Sequence, residues 1–202
     1  MKFYESGDSS KPVIFLFPGT CCLYSSFDHI LDGLHSYFYT VTVSYDGFDP
    51  NEKTEFYSME DECEKIEQEI KKKYDGRIKA AYGCSLGGSF VSLLIQRKRI
   101  HIDHGIIGSS DMDEAGRLVA KIQSSMVVPF MYKMIHTGVL PKFMQKKLNK
   151  TDEVKKELYN GFLNMFGIGK GGSPWITKQS IYNQFYSDLV TKVQHGIDVP
   201  GT

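Results

Sequence analysis

Apolar residues come in short unbroken runs along the first half of the chain and at helical spacing along the second. Val13-Ile14-Phe15-Leu16-Phe17 is continuous and stops at Pro18-Gly19, the pattern of a strand buried on both faces of a parallel sheet. Tyr39-Thr40-Val41-Thr42-Val43-Ser44 is rich in β-branched residues and ends at the turn signal Asp46-Gly47, which predicts a second strand. Between them Phe27, Ile30, Leu31 and Leu34 recur at helical spacing after Ser25-Ser26, either of which could cap the helix, so the unit is β-α-β. Ser58 is placed to cap the next helix. Its buried stripe is Met59, Cys63, Ile66 and Ile70; the acids Glu60, Asp61, Glu62 and Glu64 crowd its start and Lys71-Lys72-Lys73 its end, in the order that complements a helix dipole.

Residues 78–82 predict a short strand, Gly83 to Gly88 a turn, Phe90 to Gln96 a helix and Ile102 to Ile107 a further strand. Alternating strands and helices specify an α/β domain, a mostly parallel sheet flanked by helices. Beyond residue 110 no comparable β-branched run appears, while helical spacing continues through 114–137, 141–149, 152–166 and 174–193. The glycine-rich stretch 167–174 is a joint within this helical half, and Ile197-Asp198-Val199-Pro200 resembles the approach to another strand. The expected organisation is an α/β core over 1–110, a helical cap over 111–193, and a return toward the core over 194–202.

Composition agrees with this outline. At 202 residues, with 41% apolar and 24% charged side chains, the chain suits one compact domain with a real core. The 24 basic and 24 acidic side chains cancel, so the whole-chain field gives no reason to expect nucleic acid or an anionic membrane. The cancellation is uneven: residues 1–110 hold 12 basic and 16 acidic side chains, residues 111–202 hold 12 and 8. The first eight residues lack a signal-peptide core, and no apolar run is long enough to span a membrane. With four cysteines (Cys21, Cys22, Cys63, Cys84) in no redox or zinc spacing, the expectation is a cytoplasmic protein with reduced thiols and neither metal nor cofactor.

The candidate chemistry lies in Gly83-Cys84-Ser85-Leu86-Gly87-Gly88, which matches G-x-S-x-G. The pattern is short, and its weight comes from context: strand, turn and helix follow in the order that projects a serine hydroxyl into the crevice at the carboxyl ends of the strands. A dinucleotide site would need glycine where Ser85 stands, and no turn carries the Gly-Lys-Ser/Thr of a phosphate loop. A nucleophilic Ser85 needs N–H donors for an oxyanion, the first from Leu86 and the second from the Pro18-Gly19-Thr20 loop, with Thr20 preferred and Cys21 next.

The apolar strand ending in Pro18-Gly19-Thr20, the elbow with Gly83 and Gly87 around Ser85, and a helical insertion after the next strand resemble the α/β-hydrolase family, clearly over 1–110 and as a cap beyond. The family's His-Gly pair is Pro18-Gly19 here, which keeps the backbone donor. The resemblance implies acyl transfer to water: Ser85 attacks an ester, thioester or amide carbonyl, and water releases the acid. Acyl transfer to another acceptor and a non-catalytic binding protein are the alternatives.

The family's order of Ser, acid and His implies an acid after a strand and a His after the last strand. Two more strands and their crossover need on the order of 40 residues, so the resemblance puts that His beyond Thr202. Asp111, after Gly108-Ser109-Ser110, is the candidate acid, and Asp198 the other. Of the histidines, His29 and His35 fall on the first helix, His101 and His104 at a strand start and His136 in the cap, which leaves His195 as the substitute base. Six of eight Met (112, 126, 131, 134, 144, 165) and many aromatics, among them Phe130, Phe143, Phe162, Trp175 and Phe185, give the cap an apolar lining suited to an acyl or aryl group. The expected partner is a small acyl substrate, with no nucleic acid and no membrane span; a homo-oligomer is left open.

Overall fold

The computed structural model describes residues 1–110, 114–168, 171–194 and 196. Five strands form one sheet: β1 (Lys2–Ser6), β2 (Val13–Phe17), β3 (Tyr39–Ser44), β4 (Arg77–Cys84) and β5 (His101–Gly108). Their order is β1-β3-β2-β4-β5, with β1 antiparallel to β3 and all other pairs parallel. Helices α1 (Asp28–His35), α2 (Met59–Lys73) and α3 (Leu86–Arg97) flank the sheet, and α4 (Arg117–Thr137), α5 (Lys142–Leu148), α6 (Glu153–Asn164) and α7 (Lys178–Val190) follow β5.

The unbroken run in β2 has the predicted meaning. Successive side chains point to opposite faces: Ile14 and Leu16 pack with Phe27 and the Ile30, Leu31 and Leu34 stripe of α1, whereas Phe15 and Phe17 enter the larger core with α2 and α3. All four are buried. On the second side, Met59, Cys63, Ile66 and Ile70 of α2 are fully enclosed, each contributing about 2 kcal/mol of burial. Ser58 caps α2 as expected, its Oγ accepting the Asp61 N–H at 3.1 Å.

Two features differ from the sequence expectation. The Lys2–Ser6 strand was not predicted; it is a half-buried edge whose short K-F-Y-E-S alternation gains its partner only through β3. Ser25 and Ser26 do not cap α1: they lie inside a 3₁₀ turn, Tyr24–Phe27, and α1 starts from Phe27 without a side-chain cap. Among the described residues no strand pairs with the outer edge of β5, and Ile106 and Ile107 are 46% and 43% exposed.

A buried polar cluster ties β1, the segment after β3, and α2 together. Glu62 is fully buried, accepts the Asp46 N–H at 3.0 Å and pairs with Lys65 at 2.8 Å; Asp46 also meets Lys65 and the Met1 ammonium. Burial, helped by the Asp46 charge, pushes the Glu62 carboxyl up to about 7 against the pull of Lys65. A carboxyl with a raised folded pKa favours folding while protonated. That contribution is full below the unfolded value near 4.5 and is lost as pH rises through about 7. Glu62→Gln, which cannot titrate, is therefore expected to gain on the order of 2 kcal/mol relative to wild type between pH 4.5 and 8. Urea unfolding of both proteins across that range checks it; a constant difference would show that Glu62 does not titrate there.

Candidate active site

Ser85 stands at the junction of β4 and α3 with φ 53° and ψ −122°, a backbone conformation that a residue with a Cβ rarely adopts. Its neighbours hold it there. The Ser85 N–H donates to the Gly108 carbonyl at the end of β5 (2.8 Å), and the Ser85 carbonyl accepts from Gly88 N–H at 2.7 Å. The predicted elbow glycines are required by close approach. A Cβ on Gly83 would lie 1.9 Å from the Gly87 carbonyl oxygen, and one on Gly87 would lie 2.0 Å from the Phe17 carbonyl oxygen. A Cβ on Gly88 would meet the Ser110 and Ile107 side chains at 2.7 and 2.9 Å. The turn thus exists because Gly83 and Gly87 let α3 start against the backbones of β4 and β2.

The loop after β2 packs onto this turn. A Cβ on Gly19 would meet the Cys84 carbonyl oxygen at 3.2 Å and the Ser85 Cβ at 3.6 Å. Three contacts from elsewhere fix the loop. The buried Tyr45 hydroxyl donates to the Pro18 carbonyl (3.1 Å), Gln184 Oε1 on α7 accepts the Cys21 N–H (2.6 Å), and Leu23 N–H donates to the Met165 carbonyl (2.9 Å). Cys21 itself has φ 59°. Of the two donors considered from sequence, the Cys21 N–H is thus engaged by Gln184, while Thr20 lines a cavity together with Ser85. Leu86 opens α3, so its N–H belongs to the first turn, where no intrahelical acceptor exists and the helix dipole favours negative charge.

That cavity has a volume of about 560 Å³. Hydroxyls dominate its polar wall: Thr20, Ser85, Ser89, Ser109, Ser110 and Ser124, with the Ser89 and Ser110 oxygens 3.1 Å apart. Met126, Val127, Phe185 and Leu189 form the apolar wall, and Gln123 and Asp188 complete it. The expected Met and aromatic lining is therefore only partly realised. Met126 and Phe185 face this cavity, Phe130, Phe143, Met144 and Phe162 line a separate groove, and Met131, Met134, Met165 and Trp175 pack against the core. Their helical spacing was visible in the sequence; which of the packed faces each would join depends on how α4 to α7 cross.

Asp111, Met112, His195 and Asp198 lie outside the described residues. Asp188 was not singled out from the sequence, where it is one more polar position on a helix; its place in the cavity wall comes from α7 packing on α4. Among the described residues no histidine lines the cavity. His35 Nε2 meets the Ser6 and Thr40 hydroxyls (3.0 and 3.2 Å), His101 pairs with Asp103 (3.0 Å), and the His136 ring sits 5.0 Å from that of Tyr132. Cysteine chemistry is disfavoured beside Ser85: burial pushes the Cys22 thiol up to about 12 and the Cys21 thiol well above its usual value, so both stay protonated. Among the described residues no three His, Cys, Asp or Glu side chains gather as metal ligands would.

No family model and no curated protein matches the chain. Solved structures do. A protein of Desulfitobacterium hafniense assigned to the alpha/beta hydrolase family superposes with a TM-score of 0.72 at 15% identity, over 94% of this chain and 72% of that one. A thermophilic esterase from Thermogutta terrifontis gives 0.68 at 13% identity, over 93% and 66%. A structure from work on carboxylesterases of the thaumarchaeon Nitrososphaera gargenis gives 0.66 at 14% identity, over 95% and 68%. The chain spans about two-thirds to three-quarters of the length of these proteins. From β1 to α7 it has the α/β-hydrolase fold.

Proposed function

We propose that the chain is a serine hydrolase cleaving a small carboxylic ester or acyl thioester through a Ser85 acyl-enzyme. The observation that carries this reading is the left-handed backbone of Ser85 on a glycine-cleared turn, opening onto a cavity shared with Thr20. A serine held this way has little structural reason to exist, because glycine would occupy the turn without strain.

In the proposed reaction the Ser85 Oγ attacks the acyl carbonyl while its proton passes to a base. The negative charge that develops on the carbonyl oxygen is met by the N–H groups of Leu86 and Thr20. Collapse expels the alcohol or thiol and leaves an acyl-Ser85 ester, which water then cleaves. Asp111, which follows Ser109 and Ser110 of the cavity wall in sequence, and Asp188 in the wall itself are the two candidate acids. Helices α4 to α7, between Arg117 and Val190, serve as the cap over Ser85, and Met126, Val127, Phe185 and Leu189 receive the acyl group. The base is assigned to a histidine outside the described residues.

One observation favours a second reading, a binding protein that keeps the cavity without turnover: among the described residues no histidine reaches that cavity. A fluorophosphonate probe separates the two. The hydrolase reading expects covalent labelling, mapped by peptide mass spectrometry to the tryptic fragment holding Ser85. A folded chain that stays unlabelled while an ester analogue still binds supports the second reading instead.

A further inference from the structure

The helices beyond residue 110 present a second concavity that the chemistry above leaves unused. Phe130 of α4, Phe143, Met144 and Leu148 of α5, and Leu158, Tyr159 and Phe162 of α6 line a groove of about 730 Å³, with Thr151 and Lys155 its only polar residues among those described. Its large side chains are open to solvent, with Phe143 67% and Leu158 74% exposed. Val139 and Val154 add further exposed apolar surface on the same helical segment. Isolated exposed apolar side chains are ordinary, but several of this size lining one groove mark a surface that meets a nonpolar partner.

Charge identifies the partner. Lys142, Lys146 and Lys150 recur every four residues along α5 and its C-terminal end, all exposed. Lys142 and Lys146 therefore form the polar flank of α5 on the side of Phe143, turned away from Met144 and Leu148, and Lys150 follows just past the helix end. Lys155 and Lys156 are paired with Asp152 (2.9 Å) and Glu153 (3.6 Å) and add little. The +4 excess of residues 111–202 thus includes exposed lysines on the polar flank of the helix whose other face forms one wall of the groove, although the whole chain is neutral. Apolar side chains flanked by lysines suit the plane of an anionic bilayer, where the rings enter the acyl boundary and the ammonium groups meet lipid phosphates. No described helix is long and apolar enough to cross a membrane, so the contact lies on the surface.

We infer that the α5–α6 face docks on an anionic lipid surface through the Phe130, Phe143, Leu158 and Phe162 groove and the Lys142, Lys146 and Lys150 row. Phe130 lies one turn beyond Met126 and Val127 on α4, and those two line the Ser85 cavity. The docked face therefore adjoins the cavity mouth, although the binding itself needs no catalytic activity.

Vesicle co-sedimentation of the full chain tests this. Phosphatidylcholine vesicles containing phosphatidylglycerol should retain the protein, pure phosphatidylcholine vesicles should not, and raised salt should release it. The combined Lys142→Gln, Lys146→Gln and Lys150→Gln variant should weaken binding by on the order of a hundredfold, since each lysine near such a surface contributes about fivefold. Phe143→Ser, a change at an exposed side chain, should lower retention at unchanged net charge, with thermal melts confirming that the variants fold. Equal retention on both vesicle types, no retention of wild type, or a dimer that Phe143→Ser dissolves without any vesicle binding overturns the proposal.

Discussion

Gly87→Ala is expected to leave little folded protein, although it adds one methyl group. The added Cβ would stand 2.0 Å from the Phe17 carbonyl oxygen, 2.8 Å from its carbon and 3.1 Å from its Cβ. All of these belong to β2, which is paired on both sides, to β3 and to β4. Neither partner can yield by rotating a side chain, so α3 must lift from the sheet by an ångström or more. That movement opens the core where Phe17 stacks on Phe90, whose ring also lies 4.8 Å from Tyr45. Overpacking that strains backbone and opens a core belongs among the most damaging single changes, at about 4 kcal/mol or more. Gly33→Ala in α1 is the control, because nothing lies within 4 Å of its new Cβ; it should stabilise by about 0.5 to 1 kcal/mol. Soluble yield and thermal melts compare the two. A cooperative Gly87→Ala melt close to wild type would contradict the close approach of α3 and β2.

The same crowding explains why the elbow was legible in the sequence while the rest of the cavity was not. Backbone approach leaves a compositional trace: Gly83 and Gly87 must be glycine, because a Cβ on either would meet backbone atoms near 2 Å. The β2 run was likewise legible, because burial on both faces removes polar residues from successive positions, and Ser58 was legible because a cap has a local partner at Asp61. Contacts between distant segments leave no such trace. Gln184 and Asp188 look like ordinary polar positions on an amphipathic helix, yet the first holds the Cys21 N–H across 163 residues and the second joins the cavity wall. The β1 strand was missed for a related reason, since a five-residue half-buried edge takes its identity from β3 and not from its own pattern.

The opposing demands of fold and chemistry meet at Ser85, and two substitutions there should separate them. Ser85→Ala keeps a Cβ and hence the strained backbone, and it removes the hydroxyl. Under the proposed mechanism it should lower ester hydrolysis by about a thousandfold or more and abolish probe labelling, with stability nearly unchanged. Ser85→Gly should lose the same activity and gain stability, because glycine adopts φ near 53° without the penalty a Cβ carries. Relief of such strain is worth about 1 to 3 kcal/mol, and the extra freedom of glycine in the unfolded chain offsets roughly 0.5 to 1 of that. A net gain on the order of 1 kcal/mol in urea unfolding is expected. Undiminished hydrolysis by Ser85→Ala would remove Ser85 from the chemistry. A destabilised Ser85→Gly would mean instead that the hydroxyl supports the turn, and strain could then no longer be offered as the sign of function. Stability gained and activity lost in one variant is the signature of a residue kept against the preference of the fold.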